Sequence, residues 1–197
     1  MKLIEGLKSQ KTIVKKIEDL QSKISKHSAY SSLERPVYRD DKDPDNPKTQ
    51  TEQIKSWKQA ILDLTKLLAN TRLCIQYTNM ITLVTIDAEG VNITKPIAEW
   101  IHWRRDLSEI MYRTVSVMTD KNLKEGFVTN SQGEKSEVKI VRCYNPAERD
   151  SEMDSYRNLK FIIDSTLEVV NATTDMVELS EINKEIASRS QEKKEGN

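Results

Sequence analysis

Apolar side chains recur every three or four residues over two long stretches of this chain, and this spacing places them on one side of an α-helix. In residues 3–24 the apolar positions are Leu3, Leu7, Val14, Ile17 and Ile24, widened by Ile4, Ile13 and Leu20. In residues 52–77 they are Ile54, Trp57, Ile61, Leu64, Leu68 and Ile75. We expect the two helices to pack antiparallel, because that arrangement buries both apolar stripes.

The segment between these helices, residues 27–51, shows no apolar period and contains Pro36, Pro44 and Pro47. This pattern predicts a long loop. Loops of this length are commonly functional or disordered, although simple linkage of the helices is the plainer interpretation. The aromatic and basic side chains that we note in the loop are Tyr30, Arg35, Tyr38 and Arg39.

After Asn79 the pattern changes to short β-branched runs separated by turn residues, which predicts two small β-hairpins. We expect the first to have arms at residues 81–86 and 91–93, and the second at residues 127–129 and 138–143. A third helix is predicted to open at Pro96, where a missing N–H does no harm. Its apolar stripe consists of Ile97, Ile101, Met111, Val115 and Met118.

A last helix is predicted to begin at Pro146. Its apolar side is formed by Leu159, Ile163, Leu167, Val170, Thr174 and Val177. If this helix runs unbroken to Leu179, it is about 50 Å long, which exceeds the core that one such chain can build. We therefore expect part of its apolar seam to meet a second copy of the chain in a homo-oligomer.

These elements predict a mainly α fold, in which long antiparallel helices form a coiled-coil-like bundle with two small β-hairpins. We expect a single helical domain over residues 1–179, with a long loop at 27–51, a hairpin insertion at 120–143 and a polar C-terminal tail at 180–197. The composition agrees, since 31% of the residues are charged and only 37% are hydrophobic. Five Gly, five Pro and two Phe argue against a β-sandwich, a barrel or a doubly wound sheet.

Charge and cysteine content limit the partners of the protein. The 31 basic and 31 acidic residues cancel, so we expect no global attraction to nucleic acid or to an anionic membrane. No run of about 18 apolar residues predicts a membrane span, and residues 1–20 are too charged for a signal peptide. Cys74 and Cys143 lack partners at metal-ligand spacing, which indicates thiols in a reducing, cytoplasmic compartment.

The sequence lacks the usual signatures of catalysis. Neither His27 nor His102 belongs to an HExxH pattern, and the five glycines form no phosphate-binding loop. No GxSxG motif is present. We therefore expect a protein without enzymatic activity, metal or cofactor.

One cluster in the third helix stands above this background. It consists of Trp100, Trp103, Arg104, Arg105, Tyr112 and Arg113. In the plainer interpretation the tryptophans complete the core and the arginines pair with Asp106, Glu99 and Glu109. In the sharper one, arginine forks hold a phosphate or carboxylate while an aromatic face stacks on a base. One helix cannot surround a ligand, so this site would lie between subunits and recruit Arg72, Tyr77 and Arg142.

Four short segments carry a resemblance to a known family. They are Met1-Lys2-Leu3-Ile4-Glu5-Gly6-Leu7, Ile75-Gln76-Tyr77-Thr78-Asn79, Thr94 to Ile97 leading to Arg105-Asp106-Leu107, and Glu137-Val138-Lys139 with Ile163-Asp164 and Asn171. In these segments the chain is similar to the septicolysin-like family of bacterial proteins, over most of residues 1–179. It departs from the family pattern at Phe161, Glu168 and Ala172, where the family tends to have Arg, Gln and Trp, and residues 120–135 look like an insertion.

The resemblance implies a homo-oligomeric helical assembly, with a hexamer as one form. It does not extend to the haemolysin-like activity that the family name suggests, because nothing in the sequence spans a bilayer. Three hypotheses follow. The leading one is a non-catalytic oligomer that sequesters a small anionic ligand, such as a nucleotide signal, as a phage-borne sponge does. The others are a coiled-coil scaffold without ligand and an enzyme whose site is shared between chains.

Overall fold

A computed structural model describes residues 1–31, 34, 37–38, 48–88 and 90–195, without the side chains of residues 48 and 189–195. Most of the loop predicted at 27–51, including Arg35 and Arg39, therefore lies outside the described residues.

The helices are α1 (Leu3–His27), α2 (Lys48–Ile81), α3 (Ile97–His102), a π-helical turn (Trp103–Leu107), α4 (Ser108–Ser116), α5 (Pro146–Thr173) and α6 (Leu179–Glu195). The strands are β1 (Leu83–Ala88), β2 (Val91–Pro96), β3 (Gly126–Thr129) and β4 (Lys135–Val138). The prediction of a mainly helical protein with two small antiparallel hairpins is confirmed.

The chain groups into two compact units, the first comprising Met1–Ile81 with Asn171–Asn197 and the second Thr82–Val170. The prediction of one helical domain over residues 1–179 stays a prediction, because this grouping does not decide whether each unit folds independently. In the first unit α1 and α2 pack antiparallel: Gly6 lies beside Ile75, and the His27 ring lies 5.8 Å from that of Trp57. The predicted stripes of both helices are buried or half-buried.

The last helix is not the uninterrupted rod that the apolar pattern predicted. Helix α5 has 28 residues and ends at Thr173, which makes it about 42 Å long. The next residues bond to the N-terminus instead: Leu3 N–H donates to the Thr174 carbonyl, and Met176 N–H donates to the Met1 carbonyl, each at 2.9 Å. Lys2 Nζ donates to the Thr173 carbonyl at 2.8 Å. The helix stops because these backbone groups are used in tertiary pairing.

The segment predicted as a polar tail forms helix α6 up to Glu195. It packs on the first unit through Ile182, which is 1% exposed. Glu185 accepts a hydrogen bond from the hydroxyl of Tyr77 on α2. Ile182 is the one buried residue of α6 among those whose side chains are described, and a single apolar position gives no recognisable stripe.

In the second unit the first hairpin packs against the helix that follows it. Val84 and Ile86 alternate with exposed positions on β1 and are 5% and 2% exposed. The other buried apolar side chains of this unit are Ile97, Trp100, Val115, Ile163 and Leu167. The hairpin is confirmed, although its first arm lies two residues later than predicted and its second arm extends to Pro96. Gly90 lies in the turn, where its φ of 83° suits glycine.

The second hairpin differs in register from its prediction. Asn130 accepts on its carbonyl from Gly133 N–H and donates its own N–H to the Glu134 carbonyl, both at 3.0 Å. Gly133 has a φ of 80°, so the connection is a turn followed by a bulge. This short turn fixes the return strand at Lys135–Val138. The arm predicted at 138–143 is wrong, because the β-branched run there lies beyond the paired strand.

Candidate ligand-binding site

The third helix changes its winding where the aromatic and basic cluster lies. Residues Trp103–Leu107 form a π-helical turn, and the N–H of Ser108 donates to the carbonyl of Trp103, five residues earlier. A π-helical turn inserts an extra residue into the helix and rotates every later side chain. The predicted apolar stripe from Ile97 to Met118 assumed one uninterrupted α-helix, and that assumption is wrong.

Trp100 belongs to the core. Its side chain is 1% exposed, and its indole Nε1–H donates a 3.0 Å hydrogen bond to the carbonyl of Val84. A ligand has no access to this ring in the structure, which agrees with the plainer interpretation. Trp103 is half-buried on the π-helical turn.

The arginines of the cluster are all engaged in ion pairs. Arg105 donates from Nε and Nη2 to Asp106, at 3.0 and 2.9 Å. This contact raises the pKa of Arg105 and lowers that of Asp106, mainly through the hydrogen bond. Arg113 donates to Glu109 at 2.8 Å. Two of the three expected acidic partners are therefore confirmed.

The third expected partner, Glu99, pairs with Lys95 instead. Arg104 reaches across to helix α5 and donates to Asp164 at 2.9 Å. Asp106 is also contacted by Nδ1 of His102 at 2.8 Å. These contacts tie the π-helical turn to itself and to α5, so the arginine forks are already occupied by carboxylates.

The remaining predicted residues lie elsewhere. Arg72 is exposed on α2, and Tyr77 bonds to Glu185; both belong to the first unit. Arg142 pairs with Asp120 through two nitrogens, at 2.7 and 2.5 Å. In the second unit, Tyr112 alone among the predicted site residues lines a cavity between α4 and α5.

That cavity has a volume of about 210 Å³ and opens to solvent. Its lining consists of Ser108, Glu109, Tyr112, Tyr156, Arg157 and Lys160. Arg157 lies with its guanidinium 5.0 Å from the centre of the Tyr112 ring, and its Nη2 donates to the Tyr112 hydroxyl at 2.6 Å. The hydroxyl, acting as acceptor, raises the pKa of Arg157. The guanidinium also donates from Nη1 to Asp154 at 3.2 Å.

Lys160 is the second cation of the cavity. It makes no ion pair or hydrogen bond with any residue that the structure describes. The one carboxylate in the lining, Glu109, is already paired with Arg113. In the lining, Arg157 is paired with Asp154 and Glu109 with Arg113, so Lys160 is the charged residue of the cavity without a partner among the described residues.

Sequence reasoning missed Tyr156, Arg157 and Lys160. Tyr156 and Lys160 are four residues apart and thus share a helix face. That spacing could have marked the pair, but many exposed helix faces carry such pairs. Only the packing of α5 against α4 shows that the face carrying Tyr156 and Lys160 borders a cavity.

Comparisons with protein-family models, with curated proteins and with solved structures find no significant match to this chain. The resemblance to the septicolysin-like family stays a prediction. No helix within the described residues is long and apolar enough to cross a lipid bilayer. In the same part of the chain, no three His, Cys, Asp or Glu side chains lie close enough to hold a metal ion.

Proposed function

We propose that this protein is a non-catalytic binding protein for a small anionic ligand, held in the cavity between α4 and α5. The observation that carries the proposal is Lys160 on α5, which lines the cavity and has no acidic partner among the described residues. Beside it lies Arg157, whose guanidinium also contacts Asp154 and Tyr112. A cation without a partner beside a concave surface is suited to an anion from solution.

The chemistry of the lining favours a phosphate or carboxylate attached to a flat group. Arg157 and Lys160 supply charge-assisted donors, each worth about 1.5–3 kcal/mol. Tyr112 and Tyr156 offer aromatic surface, and stacking on a base contributes about 1–3 kcal/mol. Together these contributions approach the roughly 8 kcal/mol of micromolar binding, before the cost of immobilising the ligand.

The size of the cavity limits the ligand. Pockets for drug-sized molecules measure about 300–1,000 Å³, so 210 Å³ holds a small anion or one end of a larger molecule. A nucleotide signal would then project from the opening, where a second copy of the chain could cover it. A homo-oligomer that sequesters such a ligand at its subunit interfaces is the fuller form of the proposal.

The test is calorimetric titration of the purified chain with inorganic phosphate, a nucleoside monophosphate and a cyclic dinucleotide. We expect micromolar binding of at least one of them, and a loss of about tenfold or more with Lys160→Gln, because one charge-assisted bond is removed. Arg105→Gln is the matched control, since Arg105 is exposed and outside the cavity lining. Equal losses in both variants, or no binding of any probe, would overturn the proposal.

A scaffold without ligand is the second candidate. It is favoured by the ion pairs of Arg104, Arg105 and Arg113, which leave no arginine fork of the predicted cluster open. In that case the titrations show no heat of binding, and native mass spectrometry of protein purified from cells shows an oligomer without a bound small molecule.

A further inference from the structure

Both strands of the second hairpin are exposed, and no residue that the structure describes covers them. Every residue of β3 and β4 is exposed, and no residue between 116 and 162 is buried. The exposed apolar side chains around it are Val117, Leu123, Phe127, Val128, Val138 and Val141. An isolated two-stranded hairpin is only marginally stable in water, whereas a sheet of more strands can be stable. The hairpin therefore lacks the strands that would stabilise it.

The turn determines which backbone groups of β4 face outward. Because Asn130 N–H bonds to the Glu134 carbonyl, the alternation of an antiparallel ladder makes Val128 and Ser136 the next mutually bonded pair. The backbone N–H and C=O groups of Lys135 and Glu137 then point away from β3. These two residues supply the outer edge of the hairpin with donors and acceptors for another strand.

We propose that β4 pairs with β4 of a second copy of this chain, antiparallel and about a twofold axis at Ser136. In this register Lys135 lies opposite the partner's Glu137, and Glu137 lies opposite the partner's Lys135. Both pairs join residues whose backbone groups face outward, so the hydrogen bonds and the opposite charges favour the same register. Glu137 also pairs with Lys139 of its own chain at 3.1 Å, and because both side chains are exposed, the partner's Lys135 adds a second cation beside this carboxylate. The two hairpins become one four-stranded sheet.

The charges select this register over its neighbours. The nearest registers that keep outward-facing backbone groups opposite each other are shifted by two residues. One of them places Lys135 opposite the partner's Lys135, and the other places Glu137 opposite the partner's Glu137. Like charges directly opposite each other are destabilising. A register that pairs Glu137 with Lys139 would extend past the end of β4 at Val138. The outer edge of β3 carries Phe127 and Thr129, which offer no charge complementarity.

The first test is a cross-link. At the twofold axis the two Ser136 residues form a pair without mutual backbone bonds, with Cα atoms about 4.5 Å apart, within the roughly 4.4–6.8 Å that a disulfide spans. We expect Ser136→Cys, made together with Cys143→Ser, to form a covalent dimer on mild oxidation at micromolar concentration. Thr129→Cys in the same background is the control, because it lies on the opposite edge of the hairpin, and it should stay monomeric on a non-reducing gel.

The second test reverses the charges and measures the dissociation constant of the dimer by sedimentation. Lys135→Glu and Glu137→Lys each turn both attractive pairs into repulsive ones, so each should raise the dissociation constant about tenfold or more. The double variant restores opposite charges across the axis and should return the constant to near its original value. Circular dichroism of each variant shows whether the fold is kept.

Three results would overturn the proposal: a chain that stays monomeric in sedimentation at about 100 µM, roughly a hundredfold above a micromolar dissociation constant; equal cross-linking of the Ser136 and Thr129 variants; or a double variant whose dimer is weaker than that of either single variant. Self-association through β4 and ligand binding share no residue. Lys160→Gln should therefore leave the dimer unchanged, and a failure of one proposal is distinguishable from a failure of the other.

Discussion

The indole N–H of Trp100 on α3 donates a hydrogen bond to the backbone carbonyl of Val84 on β1, at 3.0 Å and out of contact with water. This bond fixes the first hairpin to the helix that follows it. Ile97 reinforces the junction, since its N–H donates to the Thr82 carbonyl at 3.0 Å. Trp100, one of the aromatic residues considered for stacking on a ligand, is instead a buried side chain of the second unit.

We expect Trp100→Ala to lower the free energy of unfolding by about 3–5 kcal/mol, because it leaves a large cavity in the core. Trp100→Phe keeps most of the ring and removes only the indole donor, while the Val84 carbonyl keeps the ladder N–H of Lys95, so it should cost about 0.5–1.5 kcal/mol. Trp103→Phe is the matched control and should cost less, since Trp103 is only half-buried. Urea denaturation followed by circular dichroism measures all three, and equal losses at positions 100 and 103 would contradict the assignment.

Helix α6 should depend on one side chain for its position. Ile182 is 1% exposed, whereas Ile186, one turn later, is 54% exposed. Ile182→Ala should lower the free energy that holds α6 in place by about 2 kcal/mol or more. Amide exchange over residues 179–188 should therefore accelerate about 30-fold or more. Ile186→Ala should change it little. Hydrogen–deuterium exchange by mass spectrometry makes the comparison, and similar rates in the two variants would refute it.

The ion pair between Arg142 and Asp120 should be detectable as a lowered pKa of Asp120 in a titration. The Arg142 guanidinium, which hydrogen-bonds to the Asp120 carboxylate, holds the pKa of Asp120 below its ordinary value. A lowered pKa means that the pair stabilises the fold above the unfolded pKa of about 3.9, and that this contribution disappears as the pH falls through the folded pKa.

In an NMR titration of the Asp120 carboxyl carbon, Arg142→Ala should therefore move the midpoint upward. Asp175 provides an internal control, because its pKa is lowered by Lys2 in the first unit. Its midpoint should stay unchanged in the Arg142 variant. A midpoint of Asp120 that does not respond would show that the pair is absent in solution.

The two thiols should react at very different rates. Cys74 is 5% exposed, and burial raises the pKa of its thiol, which disfavours the reactive thiolate. Cys143 is exposed. We expect one equivalent of a disulfide reagent such as DTNB to react with the native chain within minutes and the second only on addition of denaturant. Cys143→Ser should abolish the fast phase, and a fast phase that persists would place Cys74 at the surface.

The sequence alone determined the helical class, the stripes of α1 and α2, and the presence of two hairpins. These features depend on local periodicity and on turn residues, which one stretch of chain contains in full. Two of the ion pairs, Arg105 with Asp106 and Arg113 with Glu109, were predictable for the same reason, since their partners are one and four residues apart.

Tertiary structure decided the rest. The end of α5 depends on the N-terminus, which pairs with residues 174–176 from the far end of the sequence. The π-helical turn rotates Arg104 toward Asp164 on α5, and the cavity arises where Tyr112 on α4 meets Arg157 on α5. In each case the partners are more than forty residues apart. A periodic pattern assigns a side chain to a face of its helix, but which element covers that face depends on packing across the whole chain.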